Sequence, residues 1–165
     1  MPRRHRRSHR LCIRPFQLII VRNGYVIAEE YSDLRTEDDL VTSWSVAKSF
    51  TSALVGRALD QEYIEDLDQS VADFIPDWQG TDKEDITIEY LMTLKTGLER
   101  INEVTLYNGA DQLQLVLDRE LIGTPGEVLY DYSNGVPMIA GEVINVGCGL
   151  YAQDYLEDKI GADFG

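Results

Sequence analysis

The spacing of apolar and polar positions changes character along the chain. From Phe16 to Tyr31, the stretch FQLIIVRNGYVIAEEY sets two β-prone runs on either side of Asn23-Gly24. That dipeptide suits the two positive φ values of a tight type I′ turn, so the segment predicts an antiparallel hairpin. After the polar loop SDLRTEDDLVTS the period becomes helical. A helix is expected from Ser45 to about Leu59, with Val46, Ala47, Phe50, Ala53 and Leu54 as its buried face. IEDLDQSVADFIPDW reads as a turn and a short helix stopped by Pro76. Thr87 can cap a helix running to Leu94, with Gly97 as its left-handed stop. DQLQLVLDREL, Val136–Val146 and LYAQDYLEDKI predict three more helices. No internal repeat is present.

Two strands followed mostly by helices give an α/β (α+β) chain. A two-stranded hairpin is not a stable sheet by itself. It must pack on the helices, or the rest of its sheet must lie outside this chain.

Composition narrows the function classes. The 165 residues are 44% hydrophobic and 27% charged, which suits one globular domain with a real core. No apolar run is long enough for a membrane span. Cys12 and Cys148 give no disulfide framework, and no cluster of ligands points to a metal or a cofactor. The net charge of −14 is unevenly spread. Residues 1–14 hold Arg3, Arg4, Arg6, Arg7, Arg10 and Arg14 and no acid. Removing those 6 from the 15 cations leaves 9 against 29 acids, a net −20 for residues 15–165. A body of that charge repels nucleic acid and anionic membrane, so neither is an expected partner. The arginine-rich start reads as a disordered tail ahead of a domain at 15–165. It is not expected to be a signal peptide, because the apolar stretch after it is short and lacks a small-residue cleavage site. The cytoplasm is the default compartment.

Candidate chemistry centres on SWSVAKSF. Ser45 and Lys48 lie one helical turn apart at the start of a helix. His5 and His9 both fall in the arginine-rich start, so a serine nucleophile in the body has no histidine base. A lysine can serve if burial and neighbours lower its pKa. The helix N-terminus favours negative charge on the serine oxygen and disfavours an ammonium. A capping serine with a snorkelling lysine is the simpler account of S-x-x-K alone. Tyr132-Ser133-Asn134 is a second element. A tyrosine near the lysine could relay a proton, and an asparagine amide can both donate and accept. Here the simpler account is a turn at Asn134-Gly135. Tyr130 competes for the tyrosine role, and only its spacing to Asn134 favours Tyr132.

SWSVAKSFTSALVGRALD, followed at a distance by TPGEVLYDYSNG, resembles the serine β-lactamase and penicillin-binding-protein superfamily. The class C-like branch is the nearer, with its β-lactamases, D-alanyl-D-alanine carboxypeptidases, carboxylesterases and 6-aminohexanoate-dimer hydrolases. IEDLDQSVADFIPDW, ITIEYLMTLKTGLE and IAGEVINVGCG look like the family's connecting segments, so the resemblance covers roughly residues 16–165. It implies a β-lactamase/transpeptidase-like fold. It also implies Ser45 as acyl-accepting nucleophile, Lys48 as general base, Tyr132 as second proton carrier and Asn134 as a substrate-positioning residue. The implied substrate is a small-molecule ester, amide or β-lactam.

Lys95-Thr96-Gly97 spells the family's third motif, but it precedes the tyrosine motif and falls at a helix end. It is read as a helix stop with a last-turn cation. Asp163-Phe164-Gly165 is likewise no kinase signature, since no Gly-rich loop accompanies it. With the third motif and later strands absent, the chain is expected to be the N-terminal part of a longer enzyme, lacking the C-terminal part of the sheet. In the family one oxyanion donor comes from such a late strand, so this chain is expected to be weakly active. A non-catalytic relic or ligand-binding module of the same fold is the competing expectation.

Overall fold

The computed structural model describes residues 17–159 and residue 161. The tail expected over residues 1–14 and the Asp163-Phe164-Gly165 stretch lie outside the described residues. The chain divides into two compact units, Met1–Thr42 and Ser43–Gly165.

The first unit carries the hairpin. β1 (Gln17–Arg22) and β2 (Tyr25–Tyr31) pair antiparallel, from Gln17 opposite Tyr31 to Arg22 opposite Tyr25. Asn23 (φ 51) and Gly24 (φ 81) make the expected turn, both in the left-handed region. The register slips between Ile20 and Val21, a bulge that leaves Ile27 without an opposite residue. Among the described residues the sheet has these two strands. Successive residues point to opposite faces, yet Leu18, Ile19, Ile20, Val21, Val26 and Ile27 are all exposed. Following the hairpin, Asp39 Oδ2 accepts from the Thr36 backbone N–H at 2.7 Å, which lowers the Asp39 pKa.

The second unit is helical and holds the core. α1 is Ala47–Asp60, α2 Ile88–Met92, α3 Glu103–Asn108, α4 Gln112–Leu117, α5 Val136–Cys148 and α6 Ala152–Lys159. α5 is the axis, packing against α1, α2, α4 and α6. Val136, Ile139, Ala140, Val143 and Ile144 are buried at the spacing of one helical stripe. Burying each larger aliphatic side chain contributes about 1.5–3 kcal/mol. Tyr155 of α6 is fully buried, and its hydroxyl hydrogen-bonds Gln61 Oε1 at 2.7 Å. Burial raises its pKa to about 12.

Several expected details are corrected. The buried residues of α1 are Leu54, Val55 and Ala58, whereas Val46, Ala47, Phe50 and Ala53 are exposed. The helical period is right, but only the C-terminal half of α1 reaches α5 and the core. The short helix expected before Pro76 is a single 3₁₀ turn, Val71–Asp73, capped by Ser70, and Pro76 opens a second one, Pro76–Trp78, where its missing N–H costs nothing. α3 was not foreseen, although Asn102 caps it by accepting from the N–H groups of Val104 and Thr105. α4 ends at Leu117 rather than continuing to Leu121.

The stop of α2 is Leu94, not Gly97. Thr87 caps its start by accepting from Tyr90 N–H, as expected. At its end, Lys95 N–H bonds Tyr90 O at 2.8 Å and Leu94 N–H bonds Leu91 O at 3.2 Å. This is the Schellman pattern with Leu94 (φ 55) in the left-handed position. Leu94 is packed against the core, and that burial offsets a conformation a branched side chain disfavours. Gly97 is left-handed as expected (φ 75), though beyond the stop of α2, and it has a second reason to be glycine. A Cβ there would lie 2.2 Å from Gly123 O, across the bridge that joins Leu98 to Leu121.

Candidate active site

Trp44 (φ 48) turns the chain into a 3₁₀ turn, Trp44–Val46, that runs straight into α1. A left-handed tryptophan costs of order 1–3 kcal/mol. The turn presents Ser45 to solvent rather than to the core, and Lys48 follows, half-buried, in the first turn of α1.

Tyr132 and Asn134 arrive from the segment before α5. Backbone bonds fasten it to the end of α2, from Gly126 N–H to Lys95 O (2.9 Å) and from Asp131 N–H to Leu94 O (3.1 Å). Lys95-Thr96-Gly97 therefore acts through its backbone as a support for this loop. Ser133 accepts from the N–H groups of Gly135 and Val136, which satisfies free backbone donors where the loop enters α5. Gly135 has φ −78, so Asn134-Gly135 is not a left-handed turn. Glycine is required there because a Cβ would lie 2.7 Å from Val116 Cγ2 of α4.

The structure brings all four sequence-derived residues together. Ser45 Oγ and Tyr132 OH are 2.5 Å apart. Lys48 Nζ donates to Asn134 Oδ1 at 2.7 Å and lies 4.7 Å from the centre of the Tyr132 ring. Tyr130 is exposed, its ring tilted against that of Tyr132 at 6.4 Å, and the hydroxyl beside Ser45 belongs to Tyr132. The Tyr132 pKa is lowered, chiefly by its hydrogen bonds to Ser45 and Lys48 and further by the Lys48 charge. A negative charge on Glu103 works in the opposite direction.

Glu103 is the residue that sequence reading missed. Asn134 Nδ2 donates to Glu103 Oε1 at 2.9 Å, extending the network to Lys48, Asn134 and Glu103. The signal was local, an acid in the first turn after the Asn102 cap, but nothing in the spacing ties α3 to residue 134.

A cavity of about 170 Å³ lies on the other side of the loop. Asp131 and Ser133 line it, while their neighbours Tyr132 and Asn134 reach Ser45 and Lys48. No group of metal-binding side chains occurs among the described residues. No described helix is long and apolar enough to cross a membrane.

Comparison with known proteins gives the family and the fold. The chain belongs to the beta-lactamase family, whose model matches residues 13–164. Members of this family are serine hydrolases. The fold is similar to that of a candidate 6-aminohexanoate-dimer hydrolase from Bacillus anthracis (20% identity, TM-score 0.75), covering 86% of this chain and 42% of that one. A candidate beta-lactamase from Bacteroides dorei matches at 24% identity and TM-score 0.77, over 90% of this chain and 45% of that one. A family VIII carboxylesterase matches at 26% identity and TM-score 0.61, over 73% and 34%. The chain thus spans less than half the length of each. A search of curated proteins finds no match.

Proposed function

We propose that this chain carries the acylation half-site of a serine hydrolase acting on a small-molecule ester, amide or β-lactam. The observation that carries the reading is the 2.5 Å contact between Ser45 Oγ and Tyr132 OH, with Lys48 beside the same ring.

In this reading Ser45 is the acyl acceptor. Its proton passes to the Tyr132 phenolate as Oγ attacks the substrate carbonyl carbon. Lys48 supports that base by placing its positive charge beside the phenolate, so it acts on Ser45 through Tyr132. When the tetrahedral intermediate collapses, the bond from carbon to the leaving group breaks and Tyr132 returns its proton to that group. Tyr132 then takes a proton from water as the water attacks the acyl carbon, and returns it to Ser45 Oγ when the bond from carbon to Oγ breaks and the acid leaves. Asn134 holds Lys48 through Oδ1 and keeps an amide N–H for the substrate carbonyl. Such acid–base help typically contributes about 10²–10⁴-fold in rate.

Pre-steady-state hydrolysis of p-nitrophenyl acetate tests this. A burst of p-nitrophenolate that scales with enzyme and disappears in Ser45→Ala supports the acyl-enzyme. A burst that survives the substitution refutes it. The non-catalytic, ligand-binding reading draws on the solvent exposure of Ser45. It expects no burst from either protein.

A further inference from the structure

Asn134 has two chemically similar ends, and an isolated amide could present either to Lys48. Its two partners remove that freedom. Lys48 Nζ can only donate, and it meets Oδ1 at 2.7 Å. An ionised Glu103 carboxylate can only accept, and it meets Nδ2 at 2.9 Å. Turning the amide over would set a donor against Lys48 and an acceptor against Glu103, breaking both bonds at once. The amide has two N–H groups, so one remains after Glu103 is satisfied.

We propose that Glu103 is a positioning residue: its carboxylate fixes the Asn134 amide so that Oδ1 faces Lys48 and the second N–H faces the substrate. This deepens the hydrolase reading and rests on it for the catalytic consequence, whereas the orientation of Asn134 stands apart from turnover. α3 is built for the task. Asn102 caps it, Leu106 anchors it in the core, and Glu103 stands exposed in its first turn. The groups facing Tyr132 are Ser45 and Lys48 from the start of α1, Glu103 from α3, and Tyr130 on its own loop. Glu103 thus touches the proton chemistry twice, through Asn134 and through its charge.

The test compares wild type with Glu103→Gln and Glu103→Ala. Glutamine can still accept from Asn134 but carries no charge, whereas alanine does neither. NMR with ¹³C-labelled tyrosine follows the Tyr132 phenol, assigned by its loss in Tyr132→Phe. The Asn134 side-chain amide signals, assigned with Asn134→Asp, report orientation. The Tyr132 pKa is expected to fall in both variants, because a negative charge that raised it is gone. The Asn134 signals should keep their wild-type positions in Glu103→Gln and move towards those of a free amide in Glu103→Ala. The acylation rate should drop about tenfold or more in Glu103→Ala, the cost of losing a hydrogen bond to a charged group, and recover most of the way in Glu103→Gln. An unchanged Tyr132 pKa in Glu103→Gln, or unmoved Asn134 signals in Glu103→Ala, overturns the proposal. If the NMR changes occur but wild type never acylates, Glu103 positions Asn134 as stated and it is the hydrolase reading that fails.

Discussion

Ser45 and Tyr132 are 87 positions apart in sequence and 2.5 Å apart in space, oxygen to oxygen. Each arrives on a short irregular segment leading into a helix of the core, Ser45 ahead of α1 and Tyr132 ahead of α5. Both helices belong to the core, where α1 packs on α5, so the contact depends on the core packing as well as on the residues that make it.

Replacing Tyr132 with Phe should lower the acylation rate by about 10²–10⁴-fold with little change in melting temperature, since the ring stays and only the hydroxyl leaves. In wild type the rate should rise with pH as the phenol ionises. The Tyr132 pKa is lowered, so the midpoint of that rise should lie below the tyrosine value of 10.0. Stopped-flow bursts across pH give both quantities. A midpoint at or above 10, or a fully active Tyr132→Phe, contradicts the assignment.

The two lysines of interest should separate cleanly. Lys48→Ala removes the cation that lowers the Tyr132 pKa, so the pH midpoint should move upward and the rate at neutral pH should collapse. Lys95→Ala should change little, because the contacts of Lys95 to the loop run through its backbone. Equal losses in the two variants would mean that the Lys95 side chain belongs to the site.

α1 ends in the same way as α2. Tyr63 N–H bonds Ala58 O, Glu62 N–H bonds Leu59 O, and Glu62 takes φ 61. Unlike Leu94, Glu62 is exposed and gains no packing from that conformation. Glu62→Gly should therefore stabilise the chain by about 1 kcal/mol, read as a rise in melting temperature of a few degrees. A lower melting temperature would count against this reading of the cap.

The hairpin exposes Leu18, Ile19, Ile20, Val21, Val26 and Ile27, and α1 exposes Phe50. Unpaired strand edges and apolar surface of this extent favour association. Sedimentation velocity at rising concentration should show self-association of the chain, relieved by Ile19→Lys with Ile27→Lys. A monomer throughout would show that this surface is tolerated in water.

Much of this was legible beforehand, for identifiable reasons. Asn23-Gly24 announced the hairpin because few dipeptides accept two positive φ values. Thr87 announced α2 through its hydroxyl. Ser45, Lys48, Tyr132 and Asn134 were legible as two short motifs in order, and the structure brings them into contact. Glu103 was not legible, because its bond to Asn134 depends on where α3 sits, and no local pattern reports that. Leu94 was missed because left-handed propensity points to Gly97, and only tertiary packing makes the leucine acceptable. The exposed N-terminal half of α1 was missed because periodicity shows that a helix has an apolar stripe, not how far along it a partner extends.

The central claim is that Ser45 is the acyl acceptor. The most direct measurement is treatment of the chain with a fluorophosphonate probe, followed by mass spectrometry of its peptides. The account predicts a single adduct on the peptide containing Ser45, absent in Ser45→Ala and strongly reduced in Tyr132→Phe. An adduct on any other serine, or none on a chain shown to melt cooperatively, would contradict it.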